Sequence, residues 1–543
     1  MKKSLSLLKT LIICSILITA CNKQNDTAKL LTSQTAHPLF EYVKDDISSF
    51  MTLDIHSEAY QSYVKSNWGN GSNKFIQEMA TESLGGNQTA SITEMFSLSE
   101  KLQNSLNKDI HSIAGFIPSN TKEIGAYIII RANSEQNREE FLKLIESELP
   151  KAKFKISSET ENLKKIKSTD SDNEFYYTSV KDTDLLIATS KDLITDIQNK
   201  SEKKDFKLSI FNDPDYKKMM EALNISKNNY LLGYADINLL NSADLMEKAS
   251  AVAGTNIDKS NTQDLPIKSV AFTSSMNDAP KSTLLATINQ ENAEGKKFAN
   301  NMVNLSSLTG VNSLPSDSFL TLGLNLNFLI KWAQEIDPSI DLSTVGIDKS
   351  DMNSIESLAL AISPTAPGSM FPSVSILLNS EKCSKFYDVI KSQIGGAAKA
   401  QMGAELNWMK KKLGNNEIEY IITPFGVGAY LSKDGNNCWL SSSEASFNNI
   451  YAINGGKQLK DTLSKEQVNR LKDNSNLFFV NLNFVDLAKV IEEISGSLAM
   501  FTGGQSPLEA KELEEIKKFG RLEASLAVKD SMIRLDSEYG KVS

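Results

Sequence analysis

Histidine does most of the acid–base and metal chemistry available near neutral pH, and this chain of 543 residues has three: His37, His56 and His111. None belongs to an HxH, HExxH or Cys-His cluster, so zinc has no ligand set to build on, and no GxSxG marks a nucleophile elbow. All three lie in the first quarter of the chain, so later repeats of the body share no histidine site. Calcium is the next chemistry to weigh. In STDSDNE (Ser168 to Glu174), Asp170, Asp172 and Glu174 have the alternate spacing that opens an EF-hand loop. The sixth position is Phe175 rather than glycine and the twelfth is Lys181 rather than glutamate, so the expectation is an acidic hairpin turn. Gly426-Val427-Gly428 is a lone GxG, without the third glycine or GK[ST] that cradles phosphate. No catalytic residue, metal or cofactor is expected.

The N-terminus has a different chemistry. Lys2, Lys3 and Lys9 form a basic region, LIICSILI (Leu11 to Ile18) a short apolar one, and Ile18-Thr19-Ala20-Cys21 comes next. The apolar run is too short for a transmembrane helix, which needs about 20 residues. This arrangement resembles the lipobox of bacterial lipoproteins. The resemblance implies a signal peptide over residues 1–20, cleavage before Cys21 and acyl chains on the new terminus. Each buried methylene adds about 0.8 kcal/mol, so two or three chains make a lasting anchor. With Asn22 next rather than aspartate, the resemblance implies sorting to the outer membrane of a diderm envelope, the body hanging in the periplasm. Residues 21–38 are polar and read as a tether. In that oxidising compartment Cys383 and Cys438 form a disulfide or persist as buried thiols, and both alternatives stay open.

Removing residues 1–20 takes the net charge from −9 to −12. An acidic body with five arginines argues against nucleic acid as a partner. The basic run Lys164 to Lys167 sits among acids and reads as a solvated hairpin face.

The elements that carry the body show repetition. NLNF occurs at Asn325 to Phe328 and at Asn481 to Phe484, each time where an apolar run gives way to a helical pattern. Two more junctions of that kind give four expected helix N-caps: Asp54, Asp236, Asn327 and Asn483. Each precedes a two-strand hairpin and a second signature, NSE at Asn133, NQE at Asn289, NSE at Asn379 and DSE at Asp536. The intervals are 53, 52 and 53 residues in the last three copies and 79 in the first, which therefore carries an insertion. The expected fold is α+β: two tandem duplicated halves of antiparallel sheets with helices, in ferredoxin-like βαββαβ units. They span residues 39–305 and 313–543, with a linker at 306–312.

With an anchor, repeats and no marked chemistry, the expectation is a non-enzymatic binding or scaffold protein of the cell envelope. Its partners would be the membrane, through the N-terminal lipid, and an envelope protein or lipid. The alternative is a carrier of lipid or another apolar ligand, and an enzyme would have to use residues that the sequence does not mark.

Overall fold

The structure, a computed structural model, describes residues 38–43, 47–66, 104–118, 125–152, 154–169, 174–200, 209–226, 228–237, 266–302, 305–336, 348–365, 371–403, 407–422, 428–502 and 510–540. The signal segment, Cys21, His37, Asp170, Asp172, Gly426 and Val427 lie outside the described residues. The chain divides into two compact units, Met1–Lys296 and Lys297–Ser543.

The first unit opens with a 3-10 turn, Pro38–Tyr42. It continues as β1 (Ile47–Asp54), α1 (Glu58–Lys65), β2 (Ile110–Pro118), β3 (Tyr127–Ala132) and α2 (Glu135–Glu148). Next come β4 (Phe154–Ser158), β5 (Lys164–Ser168), β6 (Glu174–Lys181), β7 (Asp184–Ala188) and α3 (Lys191–Lys200). The unit closes with α4 (Pro214–Leu223), β8 (Asn229–Asp236), β9 (Ile267–Met276), β10 (Pro280–Ile288) and α5 (Ala293–Asn301), which crosses the division. Every pairing is antiparallel, in the order β10-β9-β8-β1-β2-β3-β7-β6-β5-β4.

The second unit holds β11 (Leu320–Asn325), α6 (Leu326–Ile336), α7 (Lys349–Met352), β12 (Ile355–Thr365), β13 (Pro372–Ser380) and α8 (Cys383–Met402). Then come β14 (Met409–Leu413), β15 (Asn416–Ile422), β16 (Gly428–Asp434), β17 (Asn437–Ser441), α9 (Glu444–Ile450) and α10 (Lys465–Lys472). It ends with β18 (Asn476–Asn483), α11 (Phe484–Thr502), α12 (Ala510–Lys517), β19 (Arg521–Lys529) and β20 (Met532–Gly540). Its sheet is again all antiparallel, in the order β20-β19-β18-β11-β12-β13-β17-β16-β15-β14. Strand for strand, this is the order of the first sheet.

The ferredoxin-like expectation needs correction. A βαβ crossover sets its two strands parallel, yet β11 pairs antiparallel with β12 on one side and with β18 on the other. The first, third and fourth expected copies are each a strand, a helical connection and a hairpin. The second is a strand and a hairpin among the described residues, and in each unit two copies meet through their first strands. Within the second unit, helices cover both faces of the sheet. Leu377, Trp439 and Phe479 pack with Leu308, Val311, Phe447 and Leu471. Cys438 and Leu431, which point the other way, pack with Cys383, Phe386, Tyr387 and Ile330. Residues 306–312 are not a linker, because Leu308 and Val311, each 1% exposed, belong to this core.

Candidate functional site

The structure separates the four expected caps. Asn483 ends β18 and its Oδ1 accepts from the N–H groups of Val485 (3.1 Å) and Asp486 (3.3 Å). In the third copy the cap is Asn325, not Asn327: Phe328 N–H donates to Asn325 Oδ1 at 3.3 Å, and Asn327 already lies inside α6. Register explains the displacement. Leu320 pairs with Leu482 as Ser49 pairs with Ala235, which makes Asn325 the counterpart of Asp54 and Asn483 that of Asp236. Asp54 ends β1 but does not cap, because Ile55 and His56 N–H both donate to His111 O and carry the chain along β2 before Ser57 begins α1. Asp236 is the last residue of β8, and residues 238–265 lie outside the described residues. At the second signature of the first copy Ser134 caps α2, accepting from Asn137 N–H at 3.2 Å, and DSE lies within β20. Asn325→Ala is expected to cost about 0.5–2 kcal/mol and Asn327→Ala under about 0.5, read from denaturant midpoints.

His56 and His111 stack at 5.8 Å, and burial, then the neighbouring His56 charge, lowers the His111 pKa. Asn133 Nδ2 lies 2.6 Å from His56 Nε2. The third described member of the STDSDNE stretch, Glu174, is tied to Lys165 (2.6 Å) and Lys167 (3.5 Å), so the basic run is balanced on its own hairpin. Cys383 and Cys438 are brought together as a disulfide with Cα atoms 5.5 Å apart.

Sequence patterning did not single out a buried polar row in the second unit. Glu523 on β19 stands opposite Asn481 on β18, which stands opposite Thr321 on β11, so their side chains share a face. They are 5%, 0% and 0% exposed. Neither side-chain atom of Asn481, nor Thr321 Oγ1, has a hydrogen-bond partner among the described residues. Glu523 Oε2 accepts from Gln467 Nε2 of α10 at 2.6 Å. Gln467 also closes the α10 capping box: its Oε1 accepts from Ser464 N–H (2.6 Å) and its N–H donates to Ser464 Oγ (3.2 Å). Beside it, both Arg521 Nη atoms donate to Thr462, each at 3.2 Å. Burial pushes the Glu523 carboxyl up to about 7, with Glu538 adding to this against Arg470 and Arg521. The S-x-x-Q box was legible at Ser464, but nothing local announced its partner.

A second feature lies on the first unit. An open groove of about 620 Å³ runs beside β4, lined by Glu146, Phe154, Lys155, Ile156, Ser158 and Lys164. Tyr177 O–H donates to Glu146 at 2.9 Å and Lys164 pairs with the same carboxylate. Burial raises the Glu146 pKa, and these two partners more than offset it, holding the group below the usual carboxylate range. Strand β4 is outermost and pairs only with β5 among the described residues. At the corresponding edge of the second unit, β14 exposes Lys410, Lys411 and Lys412. Among the described residues, no helix is long and apolar enough to cross a membrane.

These features define a mixed α+β protein of antiparallel sheets covered by helices, its candidate sites being a sheet edge and a helix–sheet seam. The chain has structural similarity to TP0453. Crystal forms IV, I and III match at 9%, 9% and 10% identity with TM-scores of 0.25, 0.25 and 0.26. The matches cover 46%, 50% and 51% of this chain and 79%, 87% and 90% of that one. At such TM-scores the likeness supports nothing about this chain's role. No protein-family model and no curated protein matches the chain.

Proposed function

We propose that the chain is an envelope lipoprotein, anchored through an acylated Cys21, whose body acts by binding a partner protein and catalyses nothing. The carrying observation is the outermost strand β4 with its open groove. Such an edge offers backbone N–H and C=O groups to which an extended polypeptide adds as a further strand, while the groove receives alternate side chains. The lysine run on β14 guards the corresponding edge of the second unit's sheet against the same addition. Identical strand order in the two sheets supports tandem duplication, after which one edge is free to specialise. An anchor at the outer membrane, with the body in the periplasm, raises the effective concentration of the pair.

A photo-crosslinking residue at Ser157, in the full chain in its own cells, tests this. The expected product is one contiguous segment of a single partner, lost when Ile156→Pro removes a backbone donor from the edge. Absence of a crosslink, or one unchanged by Ile156→Pro, overturns the binding reading. Cys21→Ser is expected to move the protein from the membrane to the soluble periplasmic fraction, which checks the anchor separately.

A further inference from the structure

The polar row and the α10 capping box meet at one pair of side chains. Helix α10 is joined to the sheet by Gln467 to Glu523, with the preceding turn joined by Thr462 to Arg521. A comparison within the molecule shows that the fold does not demand polarity there. By register, Tyr234, Phe50 and Ala271 of the first unit stand where Asn481, Thr321 and Glu523 stand in the second. Tyr216 stands three residues after the capping Asp213, as Gln467 stands three after Ser464. In the first unit the position is an aromatic plug, Tyr216 lying edge-on to Tyr234 at 5.0 Å and to Phe50 at 6.3 Å. The second unit replaces that plug with a carboxyl group, an amide and a hydroxyl.

The geometry points to a proton-operated latch: α10, tied by its own capping box to Glu523, is held on the second sheet while that carboxyl keeps its proton and is released as it ionises. The Gln467 hydrogen bond and the Arg470 and Arg521 charges favour the ionised carboxyl, but burial outweighs them, and opening α10 admits water to it. The charged groups around it come from each packed element. Arg470 and Glu466 lie on α10, Arg521 on β19, and Glu538, Asp536 and Arg534 on β20. Arg470 Nη1 is 3.7 Å from Asp536, and Arg534 Nε is 2.6 Å from the same carboxylate, so part of the local positive charge is already engaged.

Linkage fixes the direction with pH. The folded state holds the Glu523 proton up to about 7, whereas the free carboxyl loses it near 4.5. Between those values closed α10 binds more protons than open α10, so closure weakens as pH rises through the interval and is flat above it. Hydrogen exchange of the full chain, corrected for intrinsic rates, reads this directly. From pH 5 to pH 7.5 the opening equilibrium of residues 465–472 is expected to rise roughly 50-fold. The first unit's α4, closed by Tyr216, stays constant and serves as the internal control. Glu523→Gln is expected to flatten the α10 profile, and Glu538→Gln, which removes a like charge, to shrink the rise. A wild-type rise under about threefold, an equal rise in α4, or a rise that survives Glu523→Gln overturns the latch.

Discussion

Replacing Arg131 by leucine is expected to destabilise the first unit by about 3–5 kcal/mol. The reason lies across one strand pair. Asp184 on β7 is 0% exposed and stands opposite Arg131 on β3. Arg131 donates to both carboxylate oxygens, through Nε at 2.8 Å and Nη2 at 2.6 Å, and Tyr42 O–H adds a bond of 2.5 Å. Removing the guanidinium leaves a buried carboxylate without its bidentate partner, and the stranded charge carries the cost. Arg131→Leu combined with Asp184→Leu is expected to recover most of the loss, and a double variant no better than the single one would refute the account. Urea unfolding of the full chain, followed by circular dichroism, provides the measurement. The acid side has a definite sign. Burial raises the Asp184 pKa, but its bonds to Arg131 and Tyr42 prevail and hold the carboxyl below its ordinary value of 3.8. The stability it contributes is therefore full above that value and is lost as pH falls through the depressed one.

The second large effect belongs to the disulfide. Cys383 opens α8 and Cys438 lies on β17, so their bond closes a loop of 55 residues and staples helix to sheet. Loop entropy puts the stabilisation at roughly 4 kcal/mol. Both cysteines sit in a core with Ile355, Phe386, Tyr387 and Leu431, so Cys383→Ala with Cys438→Ala also loses packing. The midpoint in guanidinium chloride is expected to fall on reduction of the wild type and to be unaffected by reductant in the double variant. A wild-type midpoint indifferent to reductant would mean that the two sulfurs are thiols.

Local features of the fold could be read from the chain because they depend on near neighbours. Asp434-Gly435 marked the turn between β16 and β17, where Gly435 takes φ of 55°. Strand-to-helix junctions stood out because apolar alternation stops at an Asx residue. Which of two asparagines caps was not readable: NLNF offers both, and the choice is set by how β11 registers against β18, some 160 residues later in the chain. Strand order was hidden for the same reason. The row at Glu523 was hidden by its own pattern. In RLEASLA the charged residue alternates with leucine and alanine and looks solvent-facing, but this sheet has helices on both faces, so alternation stops separating inside from outside.

The knot around Asp184 has a mechanical consequence. A pull applied from the N-terminal side enters the first unit at Pro38–Tyr42, a 3-10 turn outside the sheet's hydrogen-bond ladder. There it meets Tyr42 gripping Asp184 and Glu41 gripping Arg131 and Lys181. Load is thus handed sideways onto β3 and β7, in the interior of the sheet, instead of peeling β1 from its end. The cluster is a strain relief, fixed where a cord would enter its housing.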